Sequence, residues 1–527
     1  MREEGRSWGM KVTDAIDAAL STYVAKLTSI LPFYLLGSSV GLVARVFPLV
    51  GLFVAYLVLE AQGRMDEVRE AIAGLDPEVV EELEAAEDDP TTTATDPEEL
   101  PTGELETIAE ALFSLEAIAV VSLSVLVGVV VYIVLAAAVR AGEIHTAYAG
   151  LEERPPVHAG VSGFFRDAVS FVGLRLIQIA LYLAVTVLYG LVLFVVVLSG
   201  AEGGLGLLAL ALAVVLAPIW LLAILAIAAV FVFAPQAIVV DRVGAIAGLK
   251  RGAGFIRRRP GAFFVYVLIA IGLTVAAAVV GSLLAVFDLT QVATLLGIVL
   301  LTPFVDLLKT GIYDESGRIA DRSIRDERTL RARTRGAFAR GWGTLWSFTR
   351  DSPGALAASF GLFGVGMVGG YLAVGGVTVD TTPPGDPTEI FGVFPLDVFV
   401  TIAVNNWLVG VDTAFAGFAF GVPTAVNLLF NGVIVGLVAG VSADLVLVAA
   451  LIVPHALIEL PAIAIAGALG FHLAGVGWSR LRGRIDDHDV AEEIDRAFWV
   501  LVGLSILFVV ASFVEAFMTP RIGGLFF

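Results

Sequence analysis

The chain of 527 residues contains no cysteine. Disulfides, thiolate metal sites and a cysteine nucleophile are therefore excluded, and only carboxylates, five histidines and neutral polar groups remain for chemistry. Charge is scarce too: charged residues make up 16% of the chain against 58% hydrophobic, and mean hydropathy is +0.91. A soluble domain cannot solvate its surface with so little charge. Apolar runs longer than the roughly 18 to 20 residues that cross about 30 Å of hydrocarbon recur along the chain. The sequence therefore predicts an all-α, polytopic integral membrane protein. Met1 to Lys26 lacks a basic start, a short apolar core and a small-residue cleavage site. No cleavable signal peptide is expected, and the first span would direct insertion itself.

The little charge present is unevenly placed. Net charge is −19, yet Glu60 to Glu116 alone holds 19 acids against Arg64 and Arg69. The middle of this segment, DDPTTTATDPEELPTGE, is too polar to fold alone. Arg outnumbers Lys about sevenfold. With an acidic exterior this points to a salt-adapted, haloarchaeal host, although a GC-rich genome gives the same Arg bias.

Lys and Arg in short loops stay cytoplasmic, while acids contribute little to orientation. Arg242 to Arg259 carries Lys250, Arg251, Arg257 and Arg258 with no acid inside it, and Arg318 to Arg340 carries eight Arg against three acids. Both loops are expected inside. Working outward from them, the spans are about 31–59 (one kinked crossing with Arg45 and Pro48), 117–139, 171–199, 204–233, 261–287, 289–309, 355–377, 396–419, 422–441, 445–476 and 498–518. That is eleven spans in a six plus five arrangement. Residues 1–310 would form an N-terminal six-helix domain with an acidic external insert at 60–116, residues 311–345 a basic cytoplasmic connector, and residues 346–527 a five-helix domain. The expected location is the plasma membrane, multi-pass, with the N-terminus cytoplasmic and the C-terminus outside. GLKRGAGFIRRRPGAFF, FARGWGTLWSFTRDSPGAL and SGFFRDAVSFVGLR combine aromatics with bases before outward-going spans. Such segments anchor helix ends at the headgroup boundary.

VPHALIELPAIAIAGALGFHL, Val453 to Leu473, holds ionisable groups inside an apolar run. Residues three and four apart share a helix face, so His455 and Glu459 form one stripe that Ala462, Ala466 and Gly470 continue, while His472 points elsewhere. A charge at the bilayer centre costs at least about 2.5 kcal/mol, so Glu459 should face protein. Candidate partners are Asn405 and Asn406, Asn427 and Asn431 four apart, and Glu515 and Thr519 four apart. Gly432, Gly436 and Gly440 mark close helix packing. The expected intramembrane polar network is thus Asn405, Asn406, Asn427, Asn431, His455, Glu459, Glu515 and Thr519. It could act as glue between helices, as a transport or proton-relay path, or in partner recognition. A metal or protease site is disfavoured, because a zincin needs a second His and a positioned base and His472 lies on another face.

PHALIELPAIAIAGALG, preceded by NNW and VPTAVNLLFNGVIVG and followed by EAFMTP, resembles the stage II sporulation protein M family, SpoIIM, over about Trp342 to Pro520. The resemblance implies a five-helix membrane bundle. In sporulating bacteria it implies the membrane-embedded centre of a septal complex with peptidoglycan-degrading partners. Ala456 stands where relatives usually place Gly, which leaves the stripe intact. PQAIVVDRVGAIAGLKRGAGFI is similar, over that segment alone, to membrane domains attached to some glycerophosphodiester phosphodiesterases, and the N-terminal half is left unassigned.

Glycines lie in apolar spans rather than in strand–turn–helix phosphate cradles. No Ser/His/Asp arrangement is legible, and His145, His158 and His488 fall in charged stretches expected to be solvated. The arginines of residues 318–340 fit a cytoplasmic connector without nucleic acid. The expectation is a non-enzymatic scaffold or assembly protein of a cell-envelope complex, with no catalytic residue, no cofactor and no metal. A transporter or lipid-translocating protein using the polar network is the alternative. Expected partners are the lipid bilayer and other membrane or envelope proteins, with room for a homo-oligomer and none for nucleic acid.

Overall fold

The computed structural model describes residues 12–74, 102–198, 204–314, 329–374, 395–442 and 444–524. Its helices, in chain order, are α1 Val12–Ser38, α2 Val40–Ala61, α3 Arg64–Ala73, α4 Thr102–Leu112, α5 Leu115–Leu151, α6 Pro156–Leu198 and α7 Gly204–Phe231. There follow α8 Ala234–Asp241, α9 Ala245–Arg258, α10 Pro260–Val286, α11 Thr290–Leu296 and α12 Thr302–Tyr313. The C-terminal part holds α13 Leu330–Asp351, α14 Pro353–Ala373, α15 Leu396–Phe415, α16 Val422–Val441, α17 Leu445–Leu481, α18 Asp487–Phe513 and α19 Thr519–Gly523. Wider π turns, Gly297–Leu301 and Val514–Met518, interrupt the helical run after α11 and after α18.

Eleven of the helical stretches described are long and apolar enough to cross a membrane, with α1 and α2 counted as one. Side chains that face outward along them are themselves apolar: Leu188 is 68% exposed and Val286 76%. Surfaces of this kind are untenable in water and natural in hydrocarbon. The stretch expected as one kinked span breaks at Ser39, where α1 ends and α2 begins, and Pro48 lies within α2. Most of the acidic tract, the loop VDTTPPGDPTEIFG and residues 315–328 of the basic connector lie outside the described residues.

Local chemistry sets the helix ends. Proline opens α10, α14 and α16, where its missing N–H costs nothing. The Asp444 carboxylate accepts from the Val446 and Leu447 amides and so caps α17. Asp486 and Asp489 form a reciprocal capping box at α18. The two amides bonded to Asp486 hold its carboxyl below the usual carboxylate range. Between α15 and α16 the chain turns tightly with Gly421 at φ +74°, a conformation that glycine adopts without strain.

Gly41–Tyr132 forms one compact unit. Within it Ala55 and Leu59 of α2 bury against Ala117 of α5. The described residues up to Val40, together with those from Ile133 onward, form the other. Its first core gathers around the fully buried Phe233 and Phe255, whose rings lie 4.7 Å apart and are joined by Tyr313 at 5.1 Å from Phe255. The second gathers Phe348, Phe415 and Phe508 with the small residues of α17, and it also takes in Phe33, Val139, Val157 and Val161.

One close helix approach is between α14 and α16, which run parallel. A Cβ on Gly366 or Gly370 would overlap the carbonyls of Leu429 and Val433, and one on Gly432 or Gly436 would overlap those of Phe363 and Met367. With no hydrophobic drive between helices in lipid, backbone contact of this kind supplies the packing energy. Gly364, two residues from Gly366, faces open space. Gly366→Val is therefore expected to destabilise the protein by about 1–3 kcal/mol or more, while Gly364→Val leaves the thermal midpoint in detergent unchanged. Equal midpoints for the two variants would contradict the interlocked glycine seam.

Candidate functional site

Three helices, α15, α17 and α18, pack against one another in the C-terminal half. Each contributes polar side chains to their junction. His455 and Glu459 are one turn apart on α17, between Pro454 and Pro461. Prolines leave the carbonyls four residues back without their helical donors, here Ala450 and Leu457. Asn406 of α15 donates through Nδ2 to Glu459 Oε1 at 2.9 Å, and Asn405 Nδ2 donates to Asn406 Oδ1 at 3.3 Å. From the π turn after α18 comes Glu515. One donor atom each from His455, Glu459 and Glu515 lie within 4.8 Å of one another, all three residues being half-buried. His455 Nδ1 is buried and makes no hydrogen bond among the described residues.

The other predicted members fall elsewhere. Asn427 donates to Thr413 Oγ1 at 2.6 Å, and Thr424 Oγ1 donates to the Thr413 carbonyl at 2.7 Å. Asn431 turns back on its own helix, donating to the Asn427 carbonyl at 2.8 Å. This second node also involves Gly470, where a Cβ would press on Thr424 and Thr413. At 1.5 Å per residue, Gly470 lies about 16 Å along α17 from Glu459. Thr519 bonds locally: its backbone N–H and its hydroxyl both donate to the Val514 carbonyl, five residues back, the latter at 3.3 Å. The wide turn separates it from Glu515, because four-residue spacing shares a face only on a regular α-helix. His472 is engaged separately, its Nε2 lying 2.8 Å from Glu493 Oε2.

The electrostatics of the first cluster are demanding. Two ionised carboxylates no more than 4.8 Å apart repel by at least about 3.5 kcal/mol even at an effective dielectric of about 20. The Asn406 amide offsets part of this at Glu459, and the rest falls to a proton or a cation.

A further polar centre emerges from distant sequence. Arg140 of α5 grips both carboxylate oxygens of Asp306 on α12, and it also donates to Glu143 Oε2 at 2.8 Å. Asp306 is 0% exposed and accepts a third bond, from the Tyr34 hydroxyl at 3.0 Å. The signal in sequence was two charged pairs three residues apart, Arg140/Glu143 and Asp306/Lys309, each at the edge of an apolar run. Arg140 thus belongs to an internal ion pair. His145 also departs from expectation. It lies within α5 and is 5% exposed, its Nε2 2.7 Å from Asp167 Oδ2. α5 continues to Leu151, well past its apolar stretch, and carries His145 into the protein. His158 is likewise helical, on α6, and its ring meets that of His488 on α18 with centroids 4.6 Å apart.

These features define the class: a polytopic all-helical membrane protein whose C-terminal bundle encloses ionisable and amide side chains. The family model described as stage II sporulation protein M matches residues 359–520, a range that contains Asn406, Thr413, His455, Glu459 and Glu515. An uncharacterised protein of Methanocaldococcus jannaschii is 33% identical over 129 residues, which are 24% of this chain and 72% of that protein. No solved structure matches. The chain belongs to the stage II sporulation protein M family.

Breaking a buried ion pair strands the remaining charge at about 3–5 kcal/mol, whereas a single interhelical hydrogen bond in lipid is worth about 0.6 kcal/mol and at most about 1.7. Arg140→Met should therefore lower stability far more than Asn406→Ala, and the double variant Arg140→Met/Asp306→Leu should recover most of the loss. Thermal unfolding of the three in one detergent decides this. A double variant no better than Arg140→Met alone would show that the pair is not the unit.

Proposed function

We propose that this protein is an integral membrane scaffold of a cell-envelope assembly in a haloarchaeal plasma membrane, without catalytic activity. Its spans are ordered six plus five, with the N-terminus cytoplasmic and the C-terminus outside. The observation that supports the scaffold is the close packing of the C-terminal bundle. Glycines bring α14 and α16 into backbone contact, and Asn406 and Asn427 spend their amides on neighbouring helices. A bundle locked in this way is suited to presenting a fixed surface to other membrane or envelope proteins, including a second copy of itself. Orientation rests on the Arg-rich loops, in keeping with positive-inside placement.

One observation favours a second reading, a transporter or lipid-translocating protein. His455, Glu459 and Glu515 are half-buried and not walled off, and ionisable residues within a membrane often mark a pathway. Two measurements separate the readings. The scaffold is expected to retain a stoichiometric membrane or envelope partner after crosslinking in native membranes, and proteoliposomes of the purified chain should pass ions and lipids no faster than empty vesicles. Flux above the empty vesicles that disappears in Glu459→Gln would establish the pathway and displace the scaffold.

A further inference from the structure

We infer that His455, Glu459 and Glu515 form a binding site for a divalent first-row transition ion of the zinc or manganese kind, which clasps α17 to the end of α18. This goes beyond the scaffold reading and does not depend on it. The donor set is one imidazole and two carboxylates, with donor atoms within 4.8 Å of one another. Tetrahedral metal–ligand bonds of about 2.0–2.2 Å set such donors about 3.4 Å apart, so they draw together by up to about 1.4 Å. The torsions of two glutamates accommodate that movement. His455 and Glu459, four apart on α17, supply two ligands from one face of one helix, and the third arrives from a different helix at a π turn, a feature frequent at functional sites.

Three further observations point to an ion. Nδ1 of His455 is buried and makes no hydrogen bond among the described residues, so the imidazole has coordinating capacity that none of them uses. Asn406 holds Glu459 by one oxygen, Oε1, and leaves the other for the ion. This is the arrangement in which an outer hydrogen bond orients a carboxylate ligand. Charge also balances: two glutamates and a neutral histidine with a dication sum to zero, as a site within hydrocarbon requires. The imidazole selects against calcium and magnesium, which prefer all-oxygen shells. The sequence alone did not reveal this site because the second histidine expected of a zincin is absent and the third ligand lies 56 residues after Glu459.

The test uses the full chain in lipid nanodiscs, stripped with a chelator and titrated with zinc chloride against a chromophoric indicator, with bound metal measured by mass spectrometry. Wild type is expected to retain about one zinc per chain, Asn406→Ala to bind about 10–100-fold more weakly, and Glu515→Gln and His455→Ala to lose at least as much. His472→Ala, whose imidazole pairs with Glu493, should bind as wild type does. Cobalt should give visible ligand-field bands in wild type that are absent from His455→Ala. Failure of wild type to retain zinc would leave only a shared proton and end the proposal, as would equal affinity in Glu459→Gln/Glu515→Gln. If a variant does not fold, wild type still decides: its thermal midpoint should rise with zinc and not with magnesium, and no rise with zinc overturns the site.

Discussion

A polar or charged side chain inside hydrocarbon has no water to turn to, so the protein must meet its needs with other protein groups or leave it unmet at a cost of kilocalories. This constraint explains the internal arrangement better than apolar packing does, because lipid tails are as hospitable to leucine as another helix is. Arg140 is held by Asp306 and Glu143 together, and Asp306 takes a further bond from Tyr34, so α1, α5 and α12 are fixed to one another at a single point. Asn406 on Glu459 fixes α15 to α17, and Asn427 on Thr413 fixes α16 to α15. Between these points the helices need only approach closely, which the glycines of α14 and α16 allow.

The same constraint separates what could be seen in the sequence from what could not. Span number is a property of each apolar run taken alone, and eleven stretches emerge both ways. The shared face of His455 and Glu459 follows from helical period, again within one segment. Partner choice between segments has no such local signature. Asn427 meets Thr413, a residue that passes unnoticed because threonine is common in apolar helices and bonds readily to its own backbone, as Thr413 does to Val409. Asp306 meets Arg140 across 166 residues. The π turn that carries Glu515 changes register in a way the spacing of Glu515 and Thr519 does not announce.

The family match begins at residue 359, yet the core beneath it is completed from outside that range. Leu345 and Phe348 of α13, and Val157 and Val161 of α6, bury with Phe415, Leu469 and Phe508. Gly341 is part of this junction: a Cβ there would press on the backbone of Trp499 and Gly503 in α18. An amphipathic helix whose buried face is spent in this way can still present its outward arginines and tryptophans to a headgroup layer. Packing against α18 and anchoring at an interface are then two faces of one element and do not compete for it.

α17 itself shows why the ionisable cluster sits where it does. From Ala462 to Gly470 six of its nine residues are Ala or Gly, and all but Ile463 are buried; a Cβ on Gly467 would press on Leu428 and Ser359, and one on Gly470 on Thr424 and the Thr413 carbonyl. From Val453 to Leu460 none of its residues is fully buried, and Leu457 is open to the outside. Pro461 stands at the boundary between the two regimes. Below it, van der Waals contact between backbones holds the bundle together. Above it the residues of α17 are less deeply buried, and directional groups add to the cohesion: an amide on a carboxylate, and two carboxylates that need a positive charge between them. Small or large apolar residues at these positions would forgo the amide–carboxylate bond, so a polar cluster is the arrangement that joins α15 to α17 and brings both to the turn after α18.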